Sequence, residues 1–246
     1  MLPHIVMSIL AIIFGQIVGH LNKKMPPVVA EEITYKEFYK TLFKDFKIDI
    51  LYTIIFLILF NCMVIFIGNT YMIYLYAIVS VGLAITFSID FRYQLIPDEV
   101  HILLGIVGII NIFINFNLSF VIDKVIGAAI GAGIFFLISL LSLLIFRKEG
   151  MGFGDVKLMG ALGFIFGIKD IIVITLVSFI FGAVIGAIYL TFKSKDSDGY
   201  IAFGPFIVIG AVILMFIPAD VIINIYIVFC TWLGRKIFDL IYFFMK

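Results

Sequence analysis

Charged residues are scarce in this chain of 246 residues: 13% are Asp, Glu, Lys or Arg, whereas 64% are hydrophobic. In a soluble domain about a quarter of the residues are charged and about half are apolar. The mean hydropathy of +1.25 therefore excludes an ordinary soluble domain and indicates an integral membrane protein. The net charge of +1 gives no reason to expect a nucleic-acid partner.

Cysteine and histidine are also few, and their spacing excludes several kinds of site. Cys62 and Cys230 each lie in an apolar run without a CxxC pair, so neither a zinc ribbon nor a disulfide framework is expected. The three histidines form no HExxH pair, and the chain has no GxSxG motif and no glycine-rich phosphate loop. We therefore expect neither a metal site nor a cofactor.

Long apolar runs fill most of the chain, and a membrane-crossing helix needs ~20 such residues. Candidate spans lie near residues 3–20, 49–68, 71–89, 99–118, 120–146, 156–168, 170–192, 201–217 and 219–243. The run at 156–168 is short for a membrane span. The last run ends near 243 or, alternatively, near Gly234, in which case an interfacial helix follows it. The sequence thus predicts an all-α fold, a polytopic membrane helix bundle of eight or nine spans, in one domain over residues 1–246.

The beginning of the chain predicts an uncleaved first span. No basic residue precedes the first apolar run, and no convincing small-residue cleavage site follows it. Within the later spans, glycines recur four residues apart in the pairs Gly127/Gly131, Gly163/Gly167 and Gly182/Gly186. Small residues at this spacing allow close helix contacts. We interpret them as packing sites inside one bundle; a dimer interface is the alternative, and the sequence leaves an oligomer open.

Basic residues are concentrated at one end of the predicted spans. The opposite end has only Lys124 and Lys169. The basic end has Lys23, Lys24, Lys36, Lys40, Lys44, Lys47, Arg92, Arg147, Lys148, Lys157, Lys193 and Lys195. Because basic loops stay in the cytoplasm, this distribution predicts a multi-pass protein of the cytoplasmic membrane with its N-terminus outside.

Segment 20–48 is the one sizeable polar stretch. Its aromatic residues recur at helical spacing opposite its lysines. We interpret it as a short cytoplasmic amphipathic loop on the inner leaflet of the lipid bilayer; a docking surface for a partner is the alternative.

The stretch EGMGFGDVKLMG, residues 149–160, places Asp155 after Gly152 and Gly154 in a predicted cytoplasmic loop over 147–156. Glycines allow a substrate backbone to approach closely, which makes Asp155 a candidate catalytic carboxylate. Alternatively, Asp155 caps a helix that begins at Val156. The motif alone favours neither interpretation.

A second acidic block, SIDFRYQLIPDEV over residues 88–100, lies at the same predicted end. It places Asp90 at the same predicted depth in the membrane as Asp155. Two facing aspartates share one proton, so one can activate water while the other protonates the carbonyl of an amide. Lys157 and the helix N-terminus favour an ionised Asp155 as the base, but the sequence does not otherwise assign the two roles.

The end of this block predicts the start of a helix. Asp98, which follows Pro97, is interpreted as its N-cap, with a substrate contact as the alternative. His101, three residues later, is interpreted as a local hydrogen-bond partner of Asp98.

These blocks together resemble the type IV prepilin peptidases, the GxGD membrane aspartic proteases. The resemblance rests on GFGD followed by VKLMGALG, on SIDFRYQLIPDEV, on AFGPF at 202–206 and on FGQIVGHLNKKMP, and it covers residues 10–206. It implies that Asp90 and Asp155 are the catalytic pair. It also implies prepilin-like membrane proteins as substrates, whose basic leader is cleaved after a glycine at the cytoplasmic face. Substrate-binding or site-shaping positions would be Pro97, Asp98, Gly152, Phe153, Gly154, Lys157, Gly204 and Pro205, with Pro205 in the first turn of a helix.

One departure from this family affects the expected activity. Many bacterial members have cysteine pairs in the first cytoplasmic loop and N-methylate the new pilin terminus, whereas segment 20–48 has no cysteine. We therefore expect a peptidase without methyltransferase activity.

Two other classes compete with a peptidase. In a proton- or cation-coupled small transporter the two aspartates would lie near the bilayer midplane, whereas here they lie at its edge. A structural subunit of a pilus or secretion machine would leave both acidic blocks unexplained.

Overall fold

The computed structural model describes residues 1–25, 37–38, 48–68, 70–147, 150–192 and 202–244. Over these ranges the chain forms nine helices and no strand. The helices are α1 (Leu2–Lys24), α2 (Ile50–Phe66), α3 (Tyr71–Tyr93), α4 (Asp98–Ile114), α5 (Leu118–Phe146), α6 (Phe153–Phe166), α7 (Ile168–Phe192), α8 (Gly204–Phe216) and α9 (Ala219–Phe244). Each of them corresponds to one of the predicted apolar runs, which confirms the all-α fold.

Five of these helices, α1, α3, α5, α7 and α9, are long and apolar enough to cross a membrane. Helices α2 and α8 are equally apolar but shorter, with 17 and 13 residues. These properties establish a polytopic helical membrane bundle, and the choice between eight and nine spans stays a prediction. At 14 residues, α6 is only about 21 Å long, less than the ~30 Å hydrocarbon core of a bilayer.

Two element ends differ from the predicted ones. Helix α1 continues to Lys24, so the loop predicted over 20–48 begins later, and its residues 26–36 and 39–47 lie outside the described part. Helix α6 begins at Phe153 rather than Val156. Helix α9 continues through Gly234 to Phe244, in agreement with the predicted run 219–243 and not with the alternative end near that glycine. Hydropathy locates a span well, but it does not show how far the helix extends into polar sequence.

Close backbone contact between α5 and α6 depends on glycine. A Cβ atom at Gly127 would lie 2.6 Å from the carbonyl oxygen of Gly163, and a Cβ atom at Gly131 would overlap the carbonyl oxygen of Met159. Both contacts would be shorter than van der Waals contact. Both glycines therefore serve packing inside the bundle, as predicted.

A buried lysine fixes the turn between α6 and α7, at the end of the bundle away from Asp155. Lys124 Nζ donates a hydrogen bond of 2.7 Å to the carbonyl of Phe166, the last residue of α6, and lies 3.2 Å from Asp123 Oδ2. The other oxygen of Asp123 accepts a hydrogen bond from Ile168 N, at the start of α7. Neighbouring residues of α5 thus bind both sides of the turn at Gly167, whose φ is +92°.

Candidate active site

Asp90 lies in the last turn of α3, and its side chain is held by the start of α8. The residue is only 5% exposed, and Asp90 Oδ2 accepts a hydrogen bond of 2.9 Å from the backbone N–H of Gly204. A Cβ atom at Gly204 would lie 2.5 Å from this oxygen. Only glycine at position 204 therefore allows the backbone to approach Asp90 this closely.

Asp155 is the third residue of α6 and is 7% exposed. Gly152 occupies the N-cap position of this helix, so the interpretation of Asp155 as its N-cap is wrong. Asp155 Oδ1 is buried without a hydrogen-bond partner among the described residues, and Oδ2 lies near the backbone of Gly152. The side chain is thus placed inside the bundle instead of capping its own helix.

The fold brings Asp90 and Asp155 together. Although 65 positions separate them in the sequence, their carboxyl groups are close enough to interact electrostatically. Because both residues are buried, the fold places two carboxyl groups next to each other away from bulk solvent. The juxtaposition agrees with the sequence analysis, and the catalytic role of the pair stays a prediction.

Asp98 and Lys157 connect α4 to α6 at the same end of the bundle. Pro97 is the N-cap residue of α4 and Asp98 its first helical residue, without a side-chain cap bond, so the predicted cap was placed one residue too late. Lys157 Nζ donates to Asp98 Oδ1 at 2.8 Å. The hydrogen bond from Lys157 lowers the pKa of the Asp98 carboxyl group, which lies just before the predicted span at 99–118. Lys157 therefore forms its ion pair with Asp98, whereas the sequence analysis expected its charge to favour an ionised Asp155.

His101 bridges the two acidic blocks. Its Nε2 lies 3.2 Å from the carbonyl oxygen of Gly154, and its Nδ1 lies 3.4 Å from Asp98 Oδ1. Since a carbonyl oxygen only accepts hydrogen bonds, Nε2 is the donor nitrogen in this contact. Asp98 thus lies beside His101, but Nδ1 forms no hydrogen bond with the described residues, so the predicted hydrogen bond is not formed. The contact with Gly154 had no signal in the sequence, because 53 positions separate the two residues.

The remaining predicted site-shaping residues lie at the starts of α4, α6 and α8. Gly154 packs against Ile96, with 3.3 Å from the position of a Cβ atom to Ile96 Cβ, and Pro97 is buried beside it. Phe153 is 61% exposed, and the ammonium of Lys157 lies 5.6 Å from the centre of its ring. Pro205 occupies the first turn of α8, as predicted.

An aromatic cluster that the sequence analysis missed holds the start of α8. The ring of Phe203, directly before Gly204, lies 5.2 Å from Phe179 on α7 and 5.7 Å from Phe135 on α5. Aromatic pairs at such distances contribute about 0.5–1.5 kcal/mol beyond their burial. The cluster fixes the position from which Gly204 donates its hydrogen bond to Asp90. Phenylalanines on two helices and at the N-cap of a third leave no local pattern that could have revealed it.

Comparison with known proteins gives one family. The model of the type IV leader peptidase family matches residues 77–187, which include Asp90 and Asp155. Two similar curated proteins bear the name prepilin leader peptidase/N-methyltransferase. The one from Legionella pneumophila is 37% identical over 62% of this chain and 53% of its own length. The one from Xanthomonas campestris is 34% identical over 55% of this chain and 47% of its own length.

The chain thus spans about half the length of the curated relatives that it matches. No solved structure matches it. The matched region contains both acidic blocks and the helices that hold them, from α3 to α7. Over residues 77–187 the chain is therefore similar to the type IV leader peptidase family.

Proposed function

We propose that this protein is a membrane-embedded aspartic endopeptidase. It removes the basic leader of prepilin-like precursors by cleaving after a glycine at the cytoplasmic face of the membrane. The observation that carries the proposal is the buried pair of Asp90 and Asp155, supplied by two helices of distant sequence. The family match and the printed names of the relatives support it.

The contacts of the two carboxyl groups favour Asp90 as the ionised member of the pair. Asp90 accepts a backbone hydrogen bond, and a hydrogen bond to a charged group contributes about 1.5–3 kcal/mol. Asp155 gains the positive end of α6, which contributes about 0.3–1 kcal/mol, and its Oδ2 interacts with the backbone of Gly152, but its Oδ1 is buried and has no partner among the described residues. A buried oxygen without a donor favours the protonated form, so we assign the shared proton to Asp155.

This assignment gives each aspartate one step. The carboxylate of Asp90 takes a proton from water as the oxygen of that water attacks the carbonyl carbon of the scissile bond. Asp155 gives its proton to the carbonyl oxygen. When the C–N bond of the tetrahedral intermediate breaks, Asp90 gives its proton to the leaving nitrogen and Asp155 takes a proton from a hydroxyl group of the intermediate as the carbonyl reforms, so the pair returns to its singly protonated state.

The substrate side of the proposal rests on charge and on segment 20–48. The concentration of basic residues at the end that contains Asp90 and Asp155 favours a cytoplasmic active site. The absence of cysteine from 20–48 favours peptidase activity without N-methylation. The substrates are therefore precursors whose leader is in the cytoplasm and whose apolar segment is in the bilayer.

The test is a cleavage assay in membranes with a precursor whose leader ends in glycine. Wild type is compared with Asp90→Asn and Asp155→Asn, which remove the titrating group and preserve its size. Asp220→Asn is the matched control. Asp220 lies in the first turn of α9 and pairs with Lys169, so its contacts involve neither Asp90 nor Asp155. Gel shift and N-terminal sequencing of the product report the cleavage and its position.

We expect wild type and Asp220→Asn to cut after the glycine, and both active-site variants to lose at least 100-fold in rate while still inserted in the membrane. Near-full activity of either variant would remove that aspartate from the mechanism. Cleavage at another bond would contradict the proposed specificity.

A further inference from the structure

Thr86, in α3, is a wholly buried polar residue to which the sequence analysis assigned no role. It is 0% exposed, and its Oγ1 forms no hydrogen bond with the residues that the structure describes. A hydroxyl group that is removed from water without a new hydrogen bond costs free energy, so nearly all buried hydroxyls in folded proteins are paired. The burial of Thr86 therefore indicates a partner other than these residues.

The other threonines within the described helices pair their hydroxyls locally. Each donates a hydrogen bond of 2.7–2.8 Å to a carbonyl oxygen one turn earlier in the chain, and they are Thr53, Thr175, Thr191 and Thr231. This bond is a common arrangement for threonine inside a helix. Thr86 does not form it with Gly82, the residue one turn earlier. Its hydroxyl is therefore available to a group outside its own helix.

The position of Thr86 in α3 places this hydroxyl next to the carboxyl pair. Thr86 precedes Asp90 by four residues, so the two side chains lie on the same face of the helix, with about 5–6 Å between their Cβ atoms. A water molecule that hydrogen bonds to two oxygen atoms spans about 5.5 Å, twice the usual distance between such oxygens. One water can therefore connect the hydroxyl of Thr86 to the carboxyl group of Asp90.

We propose that Thr86 is a positioning residue, which holds the water that attacks the scissile bond. The inference rests on the proposed function and adds a third group to its mechanism. The hydroxyl of Thr86 donates to one lone pair of the water oxygen, while the carboxylate of Asp90 accepts one of the two protons of the water. The second lone pair is then free to attack the carbonyl carbon. Two contacts fix the direction of this lone pair, whereas a single contact with Asp90 leaves the water free to turn.

The test compares two pairs of proteins that differ in the hydroxyl at position 86. Thr86→Val has nearly the shape of wild type without its hydroxyl, and Thr86→Ala differs from Thr86→Ser in the same way. If Thr86→Val fails to insert in the membrane, the second pair decides alone. Thr175→Val is the matched control, because Thr175 is also a buried helical threonine but donates to the carbonyl of Ile171 in its own helix.

Each protein is assayed in membranes with the glycine-ended precursor for kcat and KM, and its thermal midpoint is measured in detergent. We expect wild type and Thr86→Ser to have a kcat about tenfold higher than Thr86→Val and Thr86→Ala, respectively, the effect of one lost hydrogen bond. KM should change less than about twofold, because the lost contact is to the water and not to the precursor. Thr175→Val should equal wild type in both constants.

Four results overturn the inference, and one of them also overturns the proposed function. If wild type cleaves the precursor and kcat is equal within both pairs, Thr86 only fills space in the bundle. If KM rises while kcat is unchanged, Thr86 contacts the precursor instead of the water. If kcat falls only in proportion to stability, its role is structural. If wild type does not cleave the precursor at all, the proposed function fails, and the inference fails with it.

Discussion

At the scale of single residues, one backbone N–H determines how Asp90 is held. Gly204→Ala would place a methyl group 2.5 Å from Asp90 Oδ2 and 3.0 Å from its Cγ, so the carboxyl group or the start of α8 must move. We expect at least a tenfold loss of cleavage rate in membranes. Gly105→Ala is the control, because a Cβ atom there would meet none of the residues that the structure describes. Equal activity of the two variants would contradict the role of Gly204.

His101 gives a second prediction at this scale. Its Nε2 donates to the carbonyl of Gly154, the residue before Asp155, so it positions the start of α6. We expect His101→Leu to lower kcat about tenfold with little change in KM, because a displaced carboxyl group impairs the chemical step more than substrate binding.

His101→Gln, which retains an N–H donor of similar reach, should recover a large part of that loss. If both variants lose the same activity, the hydrogen bond is not what matters. If both lose stability in proportion to activity, the role of His101 is structural only.

At the scale of helices, the contact between α5 and α6 fixes the helix that bears Asp155. A Cβ atom at Gly163 would overlap the carbonyl oxygen of Gly127, so Gly163→Ala must push the two helices apart. Overpacking of this kind costs about 1–3 kcal/mol. We expect a lower thermal midpoint in detergent and reduced activity. Gly133→Ala on α5, where no described residue lies within 4 Å of a Cβ atom, should leave both unchanged.

The sequence predicted the elements that have a repeating or apolar pattern, but it did not predict the contacts between them. Each helix matched an apolar run, and the two acidic blocks identified Asp90 and Asp155 as candidates. The start of α6 was misplaced by three residues, because a glycine N-cap and a short polar turn have no hydropathy signal. The bond from Gly204 to Asp90 joins residues 114 positions apart, and such pairings arise only from the packing of the whole bundle.

At the scale of the whole molecule, the unequal distribution of basic residues predicts the orientation in the membrane. Arg92 lies near Asp90 and Ser119 near the opposite end, and both are exposed. In a background without Cys62 and Cys230, Arg92→Cys should react with a membrane-impermeant thiol reagent in inverted vesicles only. Ser119→Cys should react in right-side-out vesicles only. The reverse labelling would place the active site outside the cell and contradict cleavage at the cytoplasmic face.

The central claim is that Asp90 and Asp155 act as one catalytic unit, and a double-mutant comparison tests it most directly. Cleavage rates of a glycine-ended precursor are measured for wild type, Asp90→Asn, Asp155→Asn and the double variant at matched membrane levels. When two residues act together in one catalytic step, changing both lowers the rate little more than changing one of them. We therefore expect the double variant to be about as slow as the slower single variant. If the two losses multiply, or if one single variant retains near-full activity, the two aspartates do not form a shared catalytic pair.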